Sequence, residues 1–226
     1  MIGLRKKVAE DPYCLIAPVY DFLSQLVFGK DFQRSRTVFL DRIRPGNTVL
    51  VLGGGTGSIL PQLLNRCGTG GRILYLEPSQ AMLRRARQRL ELSVQAQIEW
   101  VHSSQLGDLP AVKLDAIVSH YLLDVLPDEG IDRIFLELQT RIHSETRWLF
   151  ADFFPISDRR WLLVAMICLF RWFARHPRKD LPDYESFFQK WGWKELDRIA
   201  FQRGFFRAMC YQLAPKSINL PITSLK

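Results

Sequence analysis

Between residues 48 and 154 the sequence alternates in a way that leaves few folds open. Five short apolar, β-rich runs recur: TVLVL (48–52), RILYLE (72–77), AQIEWVH (96–102), LDAIVSH (114–120) and TRWLFADFF (146–154). Segments of helical period separate most of them. After the first run, Ile59, Leu60, Leu63 and Leu64 share one face. Pro61 sits in that helix's first turn, where an amide needs no intrahelical partner. After the second run, Ser79 is placed to cap a helix with Met82, Leu83, Ala86 and Leu90 inward. Before the fifth, Pro127, Asp128 and Glu129 open a helix carrying Ile131, Ile134, Phe135, Leu138 and Ile142. Strands that are apolar throughout are buried on both faces, so the alternation implies a parallel sheet covered by helices. Right-handed crossovers then leave an open, doubly wound sheet that binds ligands beyond the carboxyl ends of its strands.

The flanks complete the expected architecture. Residues 12–44 read as helices with a loop between them, first strongly apolar (YCLIAPVYDFLSQLVFG) and then amphipathic (DFQRSRTVFLDRI). After residue 154 comes WLLVAMICLF (161–170), far short of the ~20 apolar residues a spanning helix needs. DYESFFQKWGWKELDRIAFQRG (183–204) reads as an amphipathic helix, FFRAMCYQL (205–213) as a late strand, and 217–224 as a further one. The expected fold is α/β: a doubly wound, mostly parallel, seven-stranded Rossmann-like sheet with an antiparallel edge, N-terminal helices and a helical insertion after the fifth strand. One domain is expected, made of an N-terminal helical cap (1–44), a core (45–154), a helical lid (155–182) and a last helix with edge strands (183–226).

Composition narrows the setting. Of the 226 residues, 47% are hydrophobic, which is globular rather than disordered. The charged N-terminus lacks an apolar core of signal-peptide length, so a cytoplasmic location is expected. Cys14, Cys67, Cys168 and Cys210 lie far apart without a CxxC pair, and read as reduced, buried residues. His102, His120, His143 and His176 are scattered, so no metal site is expected. The net charge of +8 suits an anionic partner or simple solubility.

The most informative local stretch is VLVLGGGTGSIL (49–60). Gly53, Gly54, Gly55 and Gly57, with Thr56 between, end a strand and open a helix. Glycine leaves no Cβ to block a ligand, and a helix start attracts negative charge. A tight strand-to-helix turn needs one or two glycines, so four point to a ligand against bare backbone. The dinucleotide fingerprint fits imperfectly, because Ser58 stands where its third glycine belongs. The second strand ends in Glu77, where a carboxylate can take both hydroxyls of an adenosine ribose.

The series VLVLGGGTG, ILYLEPSQAMLRRAR, LDAIVSHYLLDVL and RWLFADFF resembles the successive motifs of class I S-adenosylmethionine-dependent methyltransferases. Val51 replaces that family's usual aspartate. The segment GWKELDRIAFQRGFF looks like the last helix and strand of such folds. Upstream, IAPVYDFLSQLVFGKDFQRSRTVFLDRIRPGNTVL is similar to the lead-in of ubiquinone/menaquinone biosynthesis C-methyltransferases. The resemblance implies S-adenosyl-L-methionine as cofactor, with its methionine moiety on the loop Gly53 to Gly57, Thr56 included. It implies that Glu77 binds the ribose beside Pro78 and Ser79, and that Ser104 and Gln105 flank the adenine. Ser119 and His120 are expected beneath the reacting methyl.

Methyl transfer from a sulfonium asks the protein chiefly to position partners and exclude water. A base is needed only when the acceptor must lose a proton. His120, Tyr121 and Asp152 are the expected catalytic candidates, with Asp124 beside them; histidine titrates nearest neutrality. The aromatic residues of the N-terminal helices and of 161–173 suit a small, lipophilic, quinol- or lipid-like acceptor. Arg171 and Arg175 beside the apolar run open peripheral contact with anionic lipid as an option, and self-association is another. Nucleic acid ranks low, since SHYL follows the fourth strand in place of an N-P-P-Y-type tetrapeptide. The alternatives are a nicotinamide-dependent oxidoreductase and an inactive methyltransferase-like binding protein.

Overall fold

A computed structural model describes residues 20–156 and 180–214, without side-chain detail for 20–28. Seven strands form one sheet: β1 (Thr48–Leu52), β2 (Arg72–Leu76), β3 (Ile98–Val101), β4 (Ala116–His120), β5 (Arg147–Phe153), β6 (Trp193–Phe201) and β7 (Phe206–Leu213). Their spatial order is β3-β2-β1-β4-β5-β7-β6. The first five run parallel. β7 is antiparallel to both β5 and β6, giving the expected antiparallel edge. The order reverses at β1, and Leu52 at its end pairs with Leu76 on one side and Ser119 on the other. Three carboxyl ends therefore open onto one crevice.

The uniformly apolar strands are explained by two cores, one on each face of the sheet. Alternate residues of a strand point to opposite faces. Val49 and Val51 pack with Leu60, Leu63 and Leu83, from α2 (Leu60–Cys67) and α3 (Gln80–Gln88). Leu50 and Leu52 belong instead with Ile131, Phe135 and Leu138 of α5 (Asp128–Leu138). A short α4 (Leu92–Gln95) precedes β3. Ser79 caps α3 as expected, its hydroxyl accepting from Met82 N at 3.1 Å. The second core is rich in rings: Trp148 is fully buried, and Phe188 stacks on Tyr211 with centroids 3.8 Å apart. The buried Cys67 and Cys210 thiols are each pushed up to about 11 by burial, which makes them inert.

Two expectations need correction. In the helix expected over 183–204, only α6 (Tyr184–Lys190) is α-helical, with a 3₁₀ turn at Gln202–Gly204. Asp183 caps it, and Gly192 at φ +78° follows its end, a conformation with which glycine commonly stops helices. The next residues form β6, in antiparallel register with β7 and a bulge between Glu195 and Asp197. GWKELDRIAFQRGFF is thus a strand, a turn and the start of a second strand, not a helix and strand. The second correction lies upstream: α1 (Tyr20–Thr37) is interrupted at Gly29, where the loop between the two helical segments was expected, but a 3₁₀ turn (Leu40–Arg42) replaces the expected helical end. Most of the expected insertion (155–182) and the strand at 217–224 fall outside the described residues.

Candidate active site

The crevice is built from β1 outward. Gly53 N donates to Leu76 O at 2.9 Å, carrying the β1–β2 pairing one step past the strand. The chain then turns through Gly55 at φ +60°, and a Cβ built there would meet nothing within 4 Å. Bare backbone faces open space at this one point of the loop. Gly54 is small for a different reason: a Cβ there would fall 2.1 Å from Tyr75 Cζ. The Tyr75 hydroxyl donates to Gly55 O at 3.0 Å and so braces the loop from beneath.

Glu77 is 5% exposed. Its Oε2 accepts from Gly55 N and its Oε1 from Ser79 N, each at 2.8 Å. The carboxylate is thereby fixed against the loop. Gly53 to Thr56, Glu77 and Pro78 form one side of a cavity of about 280 Å³. Phe32, Tyr121, Leu122, Leu126 and Phe153 supply its apolar side, and Arg36, His120 and Asp124 its remaining polar groups.

The other expected residues divide. Gly57 lies outside this lining, and a Cβ on it would come within 2.8 Å of Ala86 Cβ. Ser79 is spent on capping α3 and on Glu77. Ser104 and Gln105 are exposed and do not line the cavity. Ser119 faces the opposite core, where its Oγ accepts from Trp148 Nε1 at 2.7 Å. The structure brings His120, but not Ser119, to the cavity wall.

His120 presents a buried Nδ1 with no hydrogen-bond partner. Burial, and then the nearby Arg36 charge, lower its pKa from the ordinary value to about 3. It is neutral near pH 7 and binds a proton poorly. Tyr121 adopts φ +55°, and a 2.6 Å hydrogen bond joins its hydroxyl to Ser35 Oγ of α1. Its ring lies between Phe32 and Phe153, at 4.4 and 4.8 Å. Asp152 is fully buried and stands behind the wall, accepting from Phe153 N at 2.9 Å and Asp124 N at 3.3 Å. Burial, and then the Asp124 charge, push its carboxyl well above the usual range. Arg36 and Phe32 went unnoticed in the sequence. Their four-residue spacing places both on one face of α1, which was the available signal.

Residues 49–144, which hold the glycine loop, Glu77, His120 and Asp124, match a family model described as a methyltransferase domain. Over that stretch the chain is similar to methyltransferases. It is similar to a ubiquinone/menaquinone biosynthesis C-methyltransferase UbiE of Legionella pneumophila, 37% identical over 87 residues, or 38% of this chain and 34% of that protein. It is also similar to 2-phytyl-1,4-naphtoquinone methyltransferase of Trichormus variabilis, 26% identical over 92% of this chain and 95% of that protein. A solved S-adenosylmethionine-dependent methyltransferase from Aquifex aeolicus superposes with a TM-score of 0.63 at 16% identity, over 90% of this chain and 99% of that one. The chain spans only about a third of the length of several of the curated relatives it matches, 30–34%.

Proposed function

We propose that the protein transfers a methyl group from S-adenosylmethionine to a small lipophilic acceptor. The observation that carries this reading is the Glu77 carboxylate held 2.8 Å from the amide of Gly55, at the one open point of the loop. An acid so placed accepts hydrogen bonds from a ribose diol, while the bare loop admits the rest of the nucleoside's substituent. Bound there, the cofactor supplies a methyl group already activated on a sulfonium.

The chain's own residues then have positioning work. Pro78 and Met82 wall the adenosine side, and Gly53 to Thr56 offer main chain to the methionine side. Phe32, Leu122, Leu126 and Phe153 exclude water from the acceptor side and favour an apolar molecule. Tyr121, tethered to Ser35, and the neutral His120 orient the acceptor by hydrogen bonding. A histidine with so low a proton affinity is a weak general base. Asp124 is the carboxylate that reaches the cavity, with Asp152 behind it as a positioning residue that holds its backbone amide. A quinol-like acceptor, as in the quinone methyltransferases named above, fits this division of apolar wall and few polar groups.

Calorimetry with S-adenosylmethionine, S-adenosylhomocysteine and NAD tests the donor. Both adenosyl sulfur compounds are expected to bind, and Glu77→Ala to weaken them by about 1–3 kcal/mol through lost charge-assisted hydrogen bonds. Binding of NAD alone, or an unchanged affinity in the variant, would refute the assignment. On the acceptor side, a hydroquinone with a long prenyl tail should be methylated faster than its tail-less analogue.

A further inference from the structure

Among the described residues lining the cavity, the ionisable side chains are Arg36, Glu77, His120, Tyr121 and Asp124. Glu77 is committed to the amides of Gly55 and Ser79. His120 is neutral near pH 7 and has little affinity for a proton. The Tyr121 hydroxyl is engaged with Ser35 Oγ at 2.6 Å. Arg36 is a cation and only donates hydrogen bonds. Asp124 thus supplies the basic oxygen among the apolar residues. Its place is fixed from two strands. It sits in a 3₁₀ turn (Leu123–Val125) that follows β4. Leu123 anchors that turn in the second core, while Leu122, Val125 and Leu126 line the cavity around Asp124. From the end of β5, Asp152 accepts from the Asp124 amide at 3.3 Å. Asp152 is itself fully buried, and the Tyr184 hydroxyl of α6 faces it. Two acids so close do not ionise alike. Burial, and then the Asp124 charge, hold the proton on Asp152, so Asp124 takes the negative charge first.

A carboxylate in apolar surroundings is poorly solvated and correspondingly ready to take a proton. A phenolic hydroxyl, in turn, becomes a strong nucleophile only when it gives one up. Resting on the donor reading above, we propose that Asp124 is the proton acceptor of the methyl transfer, and that the molecule methylated is a phenol or hydroquinone whose hydroxyl meets the Asp124 carboxylate. The O–H bond breaks and its proton passes to Asp124. The electron pair left behind forms the bond to the methyl group, either from oxygen or, through the ring, from the neighbouring carbon. The carbon–sulfur bond breaks with its pair going to sulfur, and the sulfonium ends as a neutral thioether. Where the new bond is to carbon, the ring hydrogen leaves as a proton and the oxygen takes one back. Asp152 acts through Asp124: it holds the backbone of the turn and, by keeping its own proton, places no second negative charge behind the base.

The test uses two acceptors of different acidity: a prenylated hydroquinone, un-ionised at pH 7, and its ring-nitro analogue, already ionised in large part. An acceptor that has lost its proton beforehand needs no base. Asp124→Asn should therefore slow methylation of the first on the order of 100-fold or more and of the second only a few-fold, with the calorimetric Kd for S-adenosylmethionine unchanged. A loss of equal size on both acceptors, as a merely structural role would give, or no loss on either, would overturn the inference. If the wild type binds S-adenosylmethionine and methylates neither acceptor, the class of acceptor named here is wrong while the donor reading stands. If it does not bind S-adenosylmethionine, the donor reading fails and takes this inference with it. Should Asp124→Asn not fold, the wild type decides. Its rate across a series of substituted hydroquinones should not follow the fraction of acceptor already ionised, and a rate rising in proportion to that fraction would show that no base is at work.

Discussion

At the scale of residues, His120 takes up its proton at much lower pH in the folded protein than in the unfolded chain. Its folded pKa of about 3 lies below the ordinary 6.5. As pH falls through 6.5 the unfolded state gains a proton that the folded state refuses. The stability that this group contributes above that pH is therefore lost progressively down toward about 3. In pH-dependent thermal melts, His120→Gln should lack this component, so its Tm relative to wild type should be higher at pH 5 than at pH 7. Parallel curves would contradict the burial argument. The glycine loop teaches a related lesson. Its four glycines looked alike in the sequence, yet Gly55 is open while Gly54 gives way to the Tyr75 ring. Internal packing and ligand access leave the same letter, and only the position of Tyr75 separates them. Glu77, by contrast, was legible, because its place at the end of a strand follows from the pattern itself.

At the scale of elements, the five parallel strands could be read because each is buried on both faces and is therefore apolar along its whole length. β6 could not. It is an edge strand with Trp193 and Phe201 buried at its two ends and mostly exposed or half-buried residues between. Its solvent side is served by ion pairs such as Arg198–Glu195 and Arg42–Asp197, whose charged residues resemble a solvated helix face. Gly192 marks the real boundary. A Cβ there would meet nothing within 4 Å, so its φ of +78° is the only obstacle to substitution. Gly192→Ala should cost about 1 kcal/mol in urea unfolding, from the left-handed conformation alone. Gly192→Asn should cost less, since asparagine visits that region more readily. A loss of several kcal/mol would mean that the turn matters for more than its dihedral angle.

At the scale of the whole molecule, the two cores meet the site differently. The first lies under the glycine loop and α1; the second carries Trp148, Phe150 and the ring of Tyr184 near Asp152. Asp152 tilts the pH profile in the opposite sense to His120. Its folded pKa is raised, so stability present below the ordinary carboxyl value of 3.8 is lost as pH rises through the folded value. Asp152→Asn keeps the hydrogen-bonding outline without the charge and should gain stability relative to wild type as pH rises from 4 toward 8. A difference that stays constant over that range would show that the carboxyl ionises normally. The topology has a further consequence. β7 lies between β5 and β6, so the strand made later on the ribosome occupies the inner place. Until Phe206–Leu213 has emerged and threaded in, the nascent Trp193–Phe201 segment has no strand among the described residues to pair with, and completion of this sheet must wait for that late arrival.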